Sequence, residues 1–184
     1  MANDLLTEQF LKIFEENLGI VLKISKTFAT SQHDREDLTN DITLELWKSF
    51  KKFKGDSKVS TWIYKVALNT AMNFNRKNKK NSFFSFLDDY KHDEVSNWFI
   101  EQGYDDTTET EILYQCIDKL NELNKALILL YLDGKSHEEI SEITGISKTN
   151  VGTRIGRIKE EIKNLATLKN ITSHGNKQIS RNVD

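Results

Sequence analysis

Between Ser49 and Lys80 the chain reads SFKKFKGDSKVSTWIYKVALNTAMNFNRKNKK, where nine cations, Lys51, Lys52, Lys54, Lys58, Lys65, Arg76, Lys77, Lys79 and Lys80, face only Asp56. A block this one-sided calls for an anionic partner. Trp62, Tyr64 and Phe74 add flat stacking surfaces, and Asn69 and Asn73 add amides that can hydrogen-bond a base edge. Those are the groups that hold unpaired nucleic-acid bases. The chemistry on offer is recognition.

The spacing predicts a helix from Ser60 to Lys77, capped by Ser60 or Thr61, on which two rows recur every three to four residues. Ile63, Ala67, Thr70 and Phe74 form the better core row, leaving Trp62, Val66, Asn69, Asn73 and Arg76 on the other. Ahead of it, Phe53-Lys54-Gly55-Asp56-Ser57 is a sharp connection. It sets main-chain amides, Lys54 and Lys58 beside the helix start, a geometry suited to phosphates or a displaced base. A solvated basic helix packed on a neighbour is the plainer alternative.

The preceding segments supply a scaffold. From Leu5 to Phe28 the residues Phe10, Ile13, Phe14, Val21, Ile24 and Phe28 make a helical stripe, with a bend allowed at Gly19. Ser31 is placed to cap a second helix, Asp34 to Phe50, with Asp34 as an approximate capping-box partner. Its apolar face is Leu38, Ile42, Leu46 and Phe50. Another face carries Asp34, Asp37, Asp41 and Glu45, a row that either meets a basic partner surface or is simply solvated.

After Asn81 the charge changes sign, with Asp88, Asp89, Asp93, Glu94, Glu101, Asp105, Asp106, Glu109 and Glu111 against Lys91. This reads as an acidic linker, and its many aromatics suggest that part of it packs on something. A second helical unit follows. Ala126 to Leu132 is a buried run ended by Asp133-Gly134, Ser136 caps a helix from His137 to Ile143, Thr144-Gly145 turns, and Ser147 caps a helix from Lys148 to about Leu165. This is helix-turn-helix grammar, with Ser141, Gly145 and Val151 where the helices must close up. Lys148, Thr149, Asn150, Thr153, Arg154 and Arg157 are left outward, residue types that read a major groove. Such units also serve as protein docking modules. The tail beyond about Asn170 shows no period and reads as mobile.

Composition sets the outer bounds. A chain of 184 residues, 38% hydrophobic and 29% charged, without proline and at net charge −2, suits small helical units joined by polar turns. A lone cysteine, Cys116, at helical spacing among Ile112, Ile117 and Leu120, reads as a buried thiol. His33, His92, His137 and His174 are scattered without partner cysteines, and no Gly-rich phosphate loop is present, so neither a metal nor another cofactor is called for. With no secretory h-region and no apolar span, the expected location is the cytoplasm, without membrane insertion.

With these motifs in place, the chain resembles the group IV, extracytoplasmic-function (ECF) sigma factors of bacterial RNA polymerase. DREDLTNDITLELWKSFKKFKGDSKVSTWIYKVALNTAMNFNRK is similar to their region two, and LNELNKALILLYLDGKSHEEISEITGISKTNVGTRIGRIKEEI to their region four. The resemblance implies an all-α protein of two small domains: region two over 5–80, an acidic linker over 81–108 near the RNA exit path, region four over 109–168, and a tail over 169–184. It implies no enzymatic activity, and a role in directing core polymerase to promoters and starting their melting. By motif position, Asp37, Leu38, Asp41, Glu45 and Trp47 would dock on the clamp helices of the largest polymerase subunit. Lys54, Gly55, Asp56, Ser57, Lys58, Asn69, Asn73, Arg76 and Lys77 would hold the minus-ten strand, Asn69 at the flipped base and Trp62 as support. Lys148, Thr149, Asn150, Thr153, Arg154 and Arg157 would face the minus-thirty-five element while the unit rests on the polymerase flap. The chain departs from the family at Gly152, where a basic residue is common, and at Thr149-Asn150. An anti-sigma factor is the further partner implied. The residues alone leave two other readings: a polymerase-independent, dimeric helix-turn-helix regulator, and a nucleic-acid enzyme with the acidic row as metal ligands.

Overall fold

The computed structural model describes the backbone of residues 2–82 and 108–179 and the side chains of 4–76 and 112–167. The acidic linker and its aromatics lie almost wholly outside the described residues, as do the side chains of Lys77 and of the tail.

Three helices build the first unit. α1 runs Ala2–Phe28 and passes Gly19 without interruption. A glycine inside a helix costs about 1 kcal/mol relative to alanine, less than the burial of even one of its neighbours Val21 and Ile24 returns. α2, Gln32–Phe50, starts where Ser31 accepts the Asp34 N–H at 3.1 Å and donates its hydroxyl to the Asp34 carboxylate at 2.7 Å. Leu38, Ile42 and Leu46 are fully buried on its inner face. The chain then turns through Gly55 at φ +79°, a conformation that glycine adopts without strain.

α3, Val59–Ser82, begins ahead of both cap candidates. Thr61 is already buried inside the first turn, and Trp62 N–H donates to Lys58 O at 3.1 Å. Ile63, Ala67, Leu68 and Ala71 enter the core, whereas Asn69, Asn73 and Arg76 stay in solvent. The two rows read from the sequence are the inner and outer faces only in part: Thr70 and Phe74 of the inner row are half-buried, and so are Trp62 and Val66 of the outer row, which pack against the core. α1, α2 and α3 pack pairwise against one another.

The second unit holds α4 (Thr108–Ile117), α5 (Glu122–Leu132), α6 (His137–Thr144) and α7 (Lys148–Ile179). α5 buries Ala126 through Leu130, its continuous apolar run surrounded by other helices. Cys116 is fully buried. α6 opens with a complete capping box, Ser136 and Glu139 each bonding the other's backbone N–H, and closes at Gly145 with φ +76°. The turn to α7 is fastened by the Ser141 hydroxyl, which donates to Ile146 O at 2.6 Å. Val151, Ile155 and Ile158 bury α7 against the unit. α7 then continues to Ile179, well past the end suggested near Leu165, since no proline stops it. Among the described residues the structure is helical, with no strand.

The units pack on each other, with α3 lying against α5 and α6.

Candidate nucleic-acid and polymerase interfaces

α2 turns its acidic row outward. Asp37, Asp41 and Glu45 are exposed over the buried floor of Leu38, Ile42 and Leu46. Leu38, assigned to a partner by motif position, has no exposed surface and supports the acidic face from below. That correction follows from the heptad-like inner row to which it belongs. Trp47 is half-buried, edge-on to Phe10 at 5.0 Å, with the Lys51 ammonium 5.7 Å from its ring centre. Leu44, 49% exposed between Asp41 and Glu45, adds apolar surface that the sequence reading passed over.

The basic loop is anchored by rings. Phe53 stacks on Trp62 at 4.8 Å and 27°, and Trp62 meets Phe50 at 6.1 Å, which in turn meets Phe10 at 5.5 Å. Trp62 is therefore a support, as expected, and Phe53, read from the sequence only as part of the turn, is the loop residue that stacks on it. Its signal was an aromatic two residues before the positive-φ glycine. Stacked pairs of this kind contribute about 0.5–1.5 kcal/mol beyond burial, enough to fix the base of a short loop. Above them Lys54, Gly55, Asp56 and Lys58 are exposed and Ser57 is half-buried. Asn69 is exposed nearly three turns into α3, and Asn73 accepts from the Arg76 guanidinium at 3.0 Å, which holds both outward. The backbone places Lys77 one residue beyond Arg76 on α3; its side chain lies outside the described residues.

In the second unit Lys148, Thr149, Asn150, Thr153, Arg154 and Arg157 are all exposed on one end of α7. Asn150 N–H donates to the Ser147 hydroxyl at 3.4 Å. Lys148 pairs with Glu138 at 2.8 Å, a contact that lowers the Glu138 carboxyl and tethers one reading residue to α6. At Gly152 the His137 imidazole stands 3.5 Å from where a Cβ would be, so the ring occupies the space beside the missing side chain.

Three polar groups sit between the units. The Asp133 carboxylate at the end of α5 takes an ion pair from Lys23 on α1 and the Tyr64 hydroxyl on α3, the latter at 2.6 Å. Burial first, then the hydrogen bond to Asp133, pushes the Tyr64 hydroxyl far above its ordinary range. Lys58 pairs with Glu139 at 3.2 Å, and Asn75 donates to Glu122 at 2.9 Å. Glu139 is held down to about 2, mainly by the Ser136 backbone N–H and then by Lys58 and the Ser136 hydroxyl. Among the described residues no three His, Cys, Asp or Glu side chains converge as a metal site, and no helix is long and apolar enough to cross a membrane.

Comparison with known proteins matches both units in order. The family described as Sigma-70 region 2 matches residues 13–81, and Sigma-70, region 4 matches 110–162. The chain is similar to the RNA polymerase sigma factor YlaC of Bacillus subtilis, 27% identical over 161 residues that cover 87% of this chain and 91% of that protein. It is 30% identical to the ECF RNA polymerase sigma-E factor of Escherichia coli K12 over 141 residues, 71% of this chain and 73% of that one. Among solved structures, the sigma factor RpoE in complex with the anti-sigma factor NepR from Bartonella quintana aligns at TM-score 0.67 and 16% identity, covering 87% of this chain and 98% of that chain. CnrH in complex with the cytosolic domain of CnrY aligns at 0.63 and 17%, covering 88% and 90%. Both likenesses support the all-α fold.

Proposed function

The chain belongs to the ECF sigma factors of the sigma-70 family, RNA polymerase sigma factors that act in transcription initiation, and from that membership we propose how its exposed residues divide the work. The acidic face of α2, Asp37, Asp41 and Glu45 with Trp47 beside them, docks on a basic surface of core polymerase. The loop Lys54 to Lys58 and the outer face of α3, Asn69, Asn73, Arg76 and Lys77, capture the unpaired minus-ten strand. Lys148, Thr149, Asn150, Thr153, Arg154 and Arg157 enter the major groove at the minus-thirty-five element. Residues 5–80, 81–108 and 109–168 are the corresponding domain, linker and domain. The observation that carries this division is the order of exposed faces along one chain: acid on α2, cation and amide on the loop and α3, groove-reading residues on α7.

The energetics need no covalent chemistry from this protein. Extruding a base costs a few kcal/mol, and stacking of about 1–3 kcal/mol per base together with phosphate contacts offsets it. Polymerase forms the phosphodiester bonds. The relatives are polymerase sigma factors, which favours this reading over a self-sufficient dimeric regulator. One of the two solved neighbours is in complex with an anti-sigma factor, and a partner of that kind fits this chain in the cytoplasm.

Two substitutions separate the roles. Asn69→Ala lowers open-complex formation by about tenfold, the worth of one or two hydrogen bonds, with core affinity unchanged. Asp41→Lys weakens core binding by roughly tenfold or more. Loss of core binding in Asn69→Ala, with normal opening in Asp41→Lys, would reverse the assignment.

A further inference from the structure

A cleft of about 370 Å³ opens between α1 and α2, and none of the residues lining it is among those assigned above to DNA or to polymerase. Its walls are Leu22, Ser25 and Lys26 of α1 and the face of α2 that runs from Gln32 to Asn40 at three-to-four spacing. The volume is that of a small-molecule site, for which about 300–1,000 Å³ is usual.

Two cations line it. Arg35 is half-buried and fixed: its guanidinium donates to the carbonyls of Ala29 at 3.4 Å and Thr30 at 3.2 Å, just past the end of α1. A guanidinium has five N–H donors, so these two bonds leave three for other acceptors. Among the described residues no carboxylate forms an ion pair with Arg35, and the neighbouring Glu36 instead accepts from the Gln32 amide at 2.8 Å. Lys26, half-buried on α1, feels the same charge: desolvation first, then Arg35, lower its ammonium to about 8. Like charges in a partly enclosed cleft repel, and an anion set between them replaces that repulsion with two attractions.

The remaining lining residues select the kind of anion. A guanidinium fork matches the oxygens of a phosphoryl group. The Ser25 and Thr39 hydroxyls, 2.9 Å apart, make a polar floor, and Leu22 adds apolar wall. At the exposed rim the Gln32 and Asn40 amides and the Glu36 carboxylate offer hydrogen bonds to hydroxyl and amino groups. A bare phosphate leaves that rim and most of the space unused.

We propose that this cleft binds a small phosphorylated metabolite of nucleotide size, its phosphoryl group between Lys26 and Arg35 and its polar body toward Gln32, Glu36 and Asn40. Glu36 and Asn40 immediately precede Asp37 and Asp41 of the acidic row. The bound ligand therefore cancels two cations beside that row and strengthens its pull on a basic partner. This effect on docking rests on the sigma-factor reading; the binding itself does not.

The test is calorimetry and thermal melting of the full-length protein with the four nucleoside monophosphates, inorganic phosphate and uncharged adenosine. At least one nucleotide is expected to bind with Kd at or below about 1 mM and to raise the melting temperature, with phosphate weaker and adenosine silent. Lys26→Met and Arg35→Gln each weaken nucleotide binding about tenfold or more, whereas Lys12→Ala, exposed elsewhere on α1, leaves it unchanged. Lys26→Met is the decisive variant, because it removes a desolvated charge and is expected to melt no lower than the natural sequence at pH 7. No binding by any nucleotide, or undiminished binding by both cleft variants, overturns the site. Equal affinity for phosphate and nucleotides overturns the nucleotide-sized ligand. Saturating nucleotide is expected to tighten core polymerase binding about threefold at low salt, and an unchanged core affinity overturns the coupling to docking. Failure to bind core in any condition would instead defeat the sigma-factor reading, while calorimetry still decides whether the cleft is a binding site.

Discussion

At the scale of single residues, type and spacing identified what was offered to a partner, and burial decided which of those residues could deliver it. Asn69, Arg154 and Asp41 are exposed as their helical rows require. Leu38 is not, because a residue cannot both fill the core between α1 and α3 and meet a polymerase surface. Lys26 is a residue whose behaviour no pattern announced. Desolvation between α1 and α2, and then the nearby Arg35 charge, lower its ammonium from 10.5 to about 8. Between about 8 and 10.5 the unfolded chain binds the proton that the folded chain has released, so folding stability rises with pH across that window. Urea unfolding at a series of pH values should show this rise in the natural sequence. Lys26→Met should abolish its share of the slope and stabilise the protein below pH 8.

At the scale of elements, capping grammar was legible and helix length was not. Ser31, Ser136 and Ser147 each accept a backbone N–H three residues on, as their positions before apolar periodic runs imply. The start of α3 differed because its first turn is set by burial of Thr61 and by the ring stack under Trp62, contacts from distant parts of the chain. The reach of α7 to Ile179 differed because a weakly amphipathic stretch without proline can stay helical with no period to mark it. Ser136 does double duty, since it caps α6 and holds Glu139 toward Lys58. Ser136→Ala should therefore cost about 1 kcal/mol in unfolding free energy, and thermal or denaturant melting measures it directly. Gly145→Ala should cost about 1–2 kcal/mol, through the left-handed turn at φ +76° rather than through any contact, because a Cβ there meets nothing.

For the whole molecule, two helical units in a given order were readable from the residues, but their packing was not. The contacts that join them link positions far apart, as Lys23 to Asp133 and Tyr64 to Asp133 do, and Asp133 itself looked like an ordinary turn residue before Gly134. The free protein is expected to bind promoter duplex weakly, because two small modules on one chain gain effective concentration only once polymerase fixes their spacing.

The central claim is that this chain turns core polymerase into a promoter-specific enzyme by holding one melted strand on the loop before α3 and on α3 itself. Its most direct test is multi-round transcription on a fragmented genomic template by core polymerase with and without the purified protein, with start sites mapped. The account predicts discrete new starts that require the protein, sharing elements near minus ten and minus thirty-five, and reduced by Asn69→Ala at unchanged core affinity. The same start sites with core alone, or none on any template when the protein is demonstrably bound to core, would contradict it.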